Sequence, residues 1–419
     1  MRSVALGFWI AGGSGLEADS EAGISHLLEH MLFRGSERYS SVEIDQIFDA
    51  MGSGLNAETD KEATSLSSRV LDTHLGRAFD VMSDMLWRPA LEDLEAEREV
   101  VLQEIAAYED DPQDQIFDRL AEAVFGRSAL GRAVIGTPEV VSGIEDGQLR
   151  AFHDARYTPA NVVIAAAGSL EHDEIVHMAS ESRPPAAGGD GAASGALAAP
   201  PFERRVRFQR KDTEQYHICI GGPGIARVDE RRFALRVLEG VLGGTPSSRL
   251  FQEVRERRGL AYSVFSFSNL YASTGEVGIY VGTRPENLQD AVAVIAAEIE
   301  RLTSDADPFE EDELVRSREC SKSALVLALE SSAARMGRLG SSLHFDLPIL
   351  SPEELMERID AASAQQCAAL ARELFAGERL SVAGIGPDED LFRKALAPLE
   401  ELAGAPSGTS ARAEPEPVR

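Results

Sequence analysis

The chain has 419 residues. Single domains usually stop near ~200–250 residues, so two domains are the first expectation. Apolar residues make up 43% and charged residues 26%, an ordinary globular balance that excludes a wholly disordered chain, a collagen and a disulfide scaffold. With 41 basic and 70 acidic residues the net charge is −29, a surface that repels nucleic-acid phosphates and anionic lipid, so no nucleic acid and no membrane is expected as a partner. The three cysteines, Cys219, Cys320 and Cys367, are scattered, which fits a reducing compartment better than a disulfide framework. No apolar run approaches the ~20 residues that a membrane span needs.

In chain order, Met1-Arg2-Ser3 leads straight into an apolar strand, Val4 to Ile10. No basic, apolar, small-residue leader precedes it. The expectation is a cytoplasmic protein with a truncated start. Helices follow at 21–34 and 41–51, strands at 54–58 and 63–71, then helices at 73–87, 91–109 and 113–125. A helix at 146–156, a strand at 162–167 and a helix at 171–180 close the first block. Residues 183–204 are rich in Pro, Gly, Ala and Ser and read as a flexible linker. The second block opens with strands at 205–210 and 215–222 and helices at 229–242 and 247–257. Strands at 260–269 and 274–283 lead to helices at 286–302, 308–340, 352–361 and 363–375. A strand at 380–384 and a helix at 387–397 end the block, and 401–419 reads as a disordered tail. Both blocks follow one plan, which predicts two similar α+β domains, 1–182 and 205–400.

The chemistry begins at His26-Leu27-Leu28-Glu29-His30. On a helix, residues four apart share a face, so His26 and His30 can present two imidazoles to one metal ion. The opposite face, Ile24, Leu27, Leu28, Met31 and Leu32, is a core stripe. Two histidines on an exposed helix would be the bland alternative, but H-x-x-E-H is also a zinc-hydrolase spacing. A catalytic zinc needs a third protein ligand. Glu97 and Glu104, two turns apart beside the stripe Leu94, Val101 and Ile105, are candidates. Alone, that pair reads as a partly exposed stripe edge; beside a metal-binding helix, a cation can hold it. His172 and His177 are five apart and off one face, and His74, His153, His217 and His344 lack ligand-spaced partners.

At this point the sequence resembles the pitrilysin/insulinase family of metallopeptidases, nearest to its short bacterial members and the mitochondrial processing peptidase β subunit. The resemblance rests on GISHLLEHMLFRGS (23–36), LNAETDKEATSLSSRVLD (55–72), EREVVLQEIAAYEDDPQD (97–114) and GGTPSSRLFQEVRERRGLAYSVFSF (243–267), and it spans nearly the whole chain. It implies two α/β-sandwich domains forming one half of a clamshell. It implies one zinc per chain on His26, His30 and Glu104, with Glu29 as general base and Glu97 supporting the site. Asn56 and Ala57 would lie on the edge strand to which a substrate adds. Arg255 and Tyr262 would complete the site from the second domain; without the resemblance they read as a basic helix end and a core tyrosine. Departures are modest: Gln103 replaces a common acidic residue, and Leu66 stands where a tyrosine is frequent. The family fold also starts one strand earlier. The implied function is a zinc endopeptidase cutting unfolded or short peptides, as a homodimer or as a heterodimer with a related chain. The alternative is a non-catalytic or regulatory subunit of the same fold.

Overall fold

The computed structural model describes residues 2–182, 184–185, 197–304 and 308–404. The first half runs β1 (Ser3–Ala11), α1 (Ile24–Leu32), α2 (Ser41–Met51), β2 (Leu55–Thr59), β3 (Ala63–Leu71) and α3 (Leu75–Trp87). It continues through α4 (Leu94–Asp110), α5 (Pro112–Phe125), α6 (Pro138–Gly143), α7 (Asp146–Arg156), β4 (Val162–Gly168) and α8 (His172–Glu181). The second half runs β5 (Val206–Arg210), β6 (Tyr216–Gly224), α9 (Arg232–Leu242), β7 (Ala261–Leu270), β8 (Gly275–Thr283) and α10 (Leu288–Thr303). It ends with α11 (Glu311–Ala328), α12 (Ser332–His344), α13 (Pro352–Asp360), α14 (Ala364–Leu374), β9 (Ser381–Gly386), α15 (Glu389–Ala395) and α16 (Ala397–Leu402). A π-helical turn, Phe251–Glu256, lies between α9 and β7. No helix among the described residues is long and apolar enough to cross a membrane.

Local chemistry sets many of these boundaries. Ser40 and Glu43 form a reciprocal capping box at the start of α2, and Gly52, at φ 65°, ends it in a left-handed turn that other residues resist. The pattern over 308–340 predicts one long helix, but the chain breaks between α11 and α12. The two helices bury different faces against different partners. Leu314, Ser317 and Ser321 of α11 face α9, whereas Met336 and Gly340 of α12 face β1. One straight helix cannot serve both. The expected tail starts too early, because α16 runs to Leu402; residues 405–419 of that tail lie outside the described residues. Most of the expected linker, residue 183 and residues 186–196, lies outside them too.

Two sheets organise the chain. The first has strand order β2-β3-β1-β4, with every pair antiparallel. The second has order β5-β9-β6-β8-β7 and is antiparallel except for β5 against β9. The strand alternation is visible in what each side buries. Leu6, Phe8 and Ile10 of β1 enter the first-half core with α1 and α3, while Ala5 and Trp9 face the other way. In β6, Ile218 and Ile220 enter the second-half core, and Cys219 faces out.

Those outward faces are covered reciprocally. Helix α5 of the first half lies on β6 and β9 of the second sheet, packing Ile116, Leu120 and Val124 against Cys219, Ala383 and Ile385. Helix α12 of the second half lies on β1 and β4 of the first sheet, packing Met336 and Leu339 against Ala5, Trp9 and Ala165. Close approach demands small residues: a Cβ added at Gly340 would sit 2.2 Å from the Trp9 ring. Gly340→Val should therefore destabilise the chain by about 1–3 kcal/mol. Hydrogen exchange should place the loss of protection in β1 and β4, in the opposite half from the substitution. Loss confined to α12 and its sequence neighbours would contradict the reciprocal packing.

Candidate metal centre

Helix α1 is held at its N-terminus by a buried carboxylate. Glu17 accepts the backbone N–H of Gly23 and of Ser25, each at 2.8 Å. These are donors that a helix start leaves unsatisfied, and a negative group suits that end of the dipole. Burial pushes the Glu17 carboxyl above its ordinary range, against the pull of these two bonds. Leu27, Leu28, Met31 and Leu32 are fully buried, which rotates His26, Glu29 and His30 toward α4 and β2.

The two imidazoles lie edge to face, 4.7 Å between ring centres. Glu104 of α4 reaches both: one oxygen lies 3.2 Å from His30 Nε2, the other 3.8 Å from His26 Nε2. One ligand atom from each of the three residues falls within 4.8 Å of the others, the one such grouping among the described residues. Glu97 is buried and accepts from His30 Nδ1 at 2.8 Å. On that geometry Nδ1 donates to Glu97, which turns Nε2 to the Glu104 side. Glu97's other oxygen lies 3.5 Å from Arg34 Nε. Burial, with the neighbouring His30, brings the His26 pKa down to about 4, so its imidazole is neutral and ready to donate a lone pair at ordinary pH. A neutral imidazole, a second imidazole oriented by Glu97 and a carboxylate converging on one point are the ligand types that a divalent cation takes.

Glu29 stands beside this group. Burial raises its carboxyl pKa, partly offset by the Thr59 hydroxyl and by His30. Its Oε2 is buried with no hydrogen-bond partner among the described residues. Thr59 ends β2 and faces Thr64 of β3, with hydroxyl oxygens 3.1 Å apart. The buried Tyr157 lies near both Glu29 and Thr64. These hydroxyl groups were invisible as site residues in the sequence; threonines at strand ends are common, and Tyr157 sits far away along the chain. Asn56 and Ala57 lie on β2, which pairs with β3 on one side and with no strand on the other among the described residues. Ala57 packs on the core and Asn56 is exposed.

Arg255 and Tyr262 come together with each other but not with the metal group. Arg255 Nη1 donates to the Tyr262 carbonyl at 2.9 Å, and the guanidinium stacks on the rings of Tyr262 and Phe251. The Tyr262 side chain is 78% exposed. The pair lines a surface hollow of about 420 Å³ with Gln215, Thr283 and Asn287. Among the described residues no hydrogen bond or ion pair links this hollow to His26, His30 or Glu104.

The second half repeats the plan of the first without its ligands. Helix α9 follows β6 as α1 follows β1, and its buried Val237, Leu238, Val241 and Leu242 match Leu27, Leu28, Met31 and Leu32 in spacing. In that register Glu239 stands where Glu29 does, but Arg236 and Gly240 replace His26 and His30.

Comparison with known proteins agrees with this asymmetry. Residues 1–138 match the family model described as insulinase (peptidase family M16), and residues 144–319 match the one described as peptidase M16 inactive domain. An uncharacterized zinc protease of Streptomyces coelicolor is 38% identical over 398 residues, covering 93% of this chain and 86% of the relative. One of Bacillus subtilis is 37% identical over 393 residues, covering 93% and 95%. The fold is similar to that of a protease from Helicobacter pylori, with a TM-score of 0.84 at 20% identity over 92% of this chain and 94% of that one. On its sequence matches over both halves, this chain belongs to the insulinase family, peptidase family M16.

Proposed function

We propose that this chain is a zinc-dependent endopeptidase that cuts unfolded or short peptides. The observation that carries the reading is the convergence of His26, His30 and Glu104, with Glu29 alongside and β2 packed on the same helix. Two imidazole nitrogens, one of them on a histidine oriented by a carboxylate, and one further carboxylate are the donor set of a catalytic zinc site. Zinc held there supplies Lewis acidity to the scissile carbonyl and acidity to the attacking water. Glu29 does the proton work. It takes a proton from the attacking water and returns it to the leaving amine nitrogen. The unpaired edge of β2 at Asn56 and Ala57 offers backbone N–H and C=O groups to an extended chain. That gives affinity with little demand on sequence, and it requires a substrate that is not folded.

A non-catalytic subunit is the second reading. The inactive-domain description covers 144–319, where α9 carries Arg236 and Gly240 at the ligand positions. The first half keeps both histidines and Glu29, Glu97 and Glu104, which favours the catalytic reading. Arg255 and Tyr262 are donors suited to a developing oxyanion, yet they lie away from the metal group of their own chain. We infer that they serve the site of a second copy across a two-fold axis, with a related chain as the rival partner.

Three outcomes are expected. Elemental analysis should give one zinc per chain, absent from His26→Ala and Glu104→Gln and held about 10–100-fold more weakly by Glu97→Gln. Unchanged zinc in the first two variants would exclude this ligand set. Glu29→Gln should keep its zinc and lose about 10²–10⁴-fold in peptide turnover, and turnover within a few-fold of the parent would remove Glu29 as the base. Finally, His26→Ala and Tyr262→Phe chains should each be nearly inactive alone. Mixed and exchanged, they should recover roughly a quarter of parental activity, since half the dimers are mixed and each mixed dimer holds one intact site. No recovery in a sample shown to contain the mixed dimer would place the pair outside the partner's site.

A further inference from the structure

The turn between β2 and β3, residues 60–62, is where the second half grips the strands beside Glu29. Glu62 is a first-half residue whose side chain is only 8% exposed, and its carboxylate's partners among the described residues are in the second half. One oxygen accepts the Ala272 N–H at 2.8 Å, and the other lies 2.7 Å from Arg227 Nη1. Arg227 is itself fixed. Its guanidinium stacks 3.5 Å over the Phe345 ring, and its backbone N–H donates to the Tyr271 carbonyl at 2.7 Å. The turn is equally bound to its own half. The Asp60 carboxylate accepts the N–H groups of Glu62 and Ala63, while the Asp60 and Lys61 carbonyls accept from Ser14 and Gly15. The first cross-strand pair beyond the turn is Thr59 with Thr64. Thr59, only three residues from Glu62, is the hydroxyl that bonds the Glu29 carboxyl, whose Oε2 has no hydrogen-bond partner among the described residues.

An ion pair this shielded is costly to assemble and poorly explained as general adhesion, because the α5 and α12 exchange already joins the halves. We propose that Glu62 and Arg227 are positioning residues for the peptidase site. Their pair locks the β2–β3 hairpin so that Thr59 holds the Glu29 carboxyl in place and β2 presents a fixed edge to the substrate. The inference rests on the endopeptidase reading given above. The second half thereby acts on the first half's chemistry through one turn, separately from Arg255 and Tyr262.

The test compares Glu62→Gln, which keeps an acceptor for Ala272, with the double variant Glu62→Gln/Arg227→Met, which leaves no unpaired buried charge. Both should fold cooperatively and retain one zinc per chain. Turnover number should fall by about 10–100-fold, the scale of a small misplacement at a reacting centre. Amides of β2 that bond β3 should exchange faster. Adding Thr59→Val to the double variant should cost little more, because the hydroxyl is already misplaced. A lowered melting temperature with kcat, KM and β2 exchange unchanged would overturn the proposal, as would a full additive loss on adding Thr59→Val. If the parent chain cuts no peptide, the endopeptidase reading fails. The exchange of β2 then decides alone whether this pair holds the hairpin, and unchanged exchange overturns it.

Discussion

The exchange of α5 and α12 is the constraint on which the rest depends. Each sheet has one face covered by its own helices and one by a helix from the other half. Neither half covers both faces of its sheet with its own helices, despite their repeated plan. The exchange also reaches the metal group. Helix α4, which carries Glu97 and Glu104, runs almost directly into α5 through Asp111, whose side chain accepts the N–H groups of Gln113 and Asp114. The far end of the carboxylate-bearing helix is thus anchored on the second sheet.

At the centre itself, burial decides the electrostatics. His26 is kept neutral by desolvation before any partner acts, and Glu29 is raised by the same cause. Glu97 is buried yet satisfied, between His30 and Arg34. The result is a graded arrangement: two imidazole nitrogens and one accessible carboxylate facing a common point, a second carboxylate bonded to His30 Nδ1 behind them, and a third, that of Glu29, with its Oε2 buried beside them. Helix α9 shows what the same scaffold does without these demands. Its Glu239 accepts from Ser268 at 2.8 Å, and Gly240 lets Ser317 of α11 approach closely where His30 instead reaches carboxylates of α4.

Much of this was legible in the sequence. The four-residue spacing of His26 and His30 and the seven-residue spacing of Glu97 and Glu104 place those side chains on single helix faces, and periodicity alone predicts both helices. The continuous apolar run Val4 to Ile10 likewise predicts β1 as a strand. What periodicity withholds is the identity of the covering partner. Ile116, Leu120 and Val124 announce a buried face on α5 but not that it lies on the other half's sheet. The same ignorance merged α11 and α12 into one helix. Thr59 near Glu29 and Arg227 near Glu62 depend on long-range placement, and nothing in their local sequence distinguishes them from a strand-end threonine and a surface arginine.

The most direct measurement is peptide hydrolysis by metal-free protein as zinc is added back. If the cluster on α1 and α4 is the catalytic centre, activity should rise in proportion to zinc and level off at one ion per chain. Hydrolysis by fully stripped protein at the parental rate, or no hydrolysis of any unfolded peptide at full loading, would contradict it.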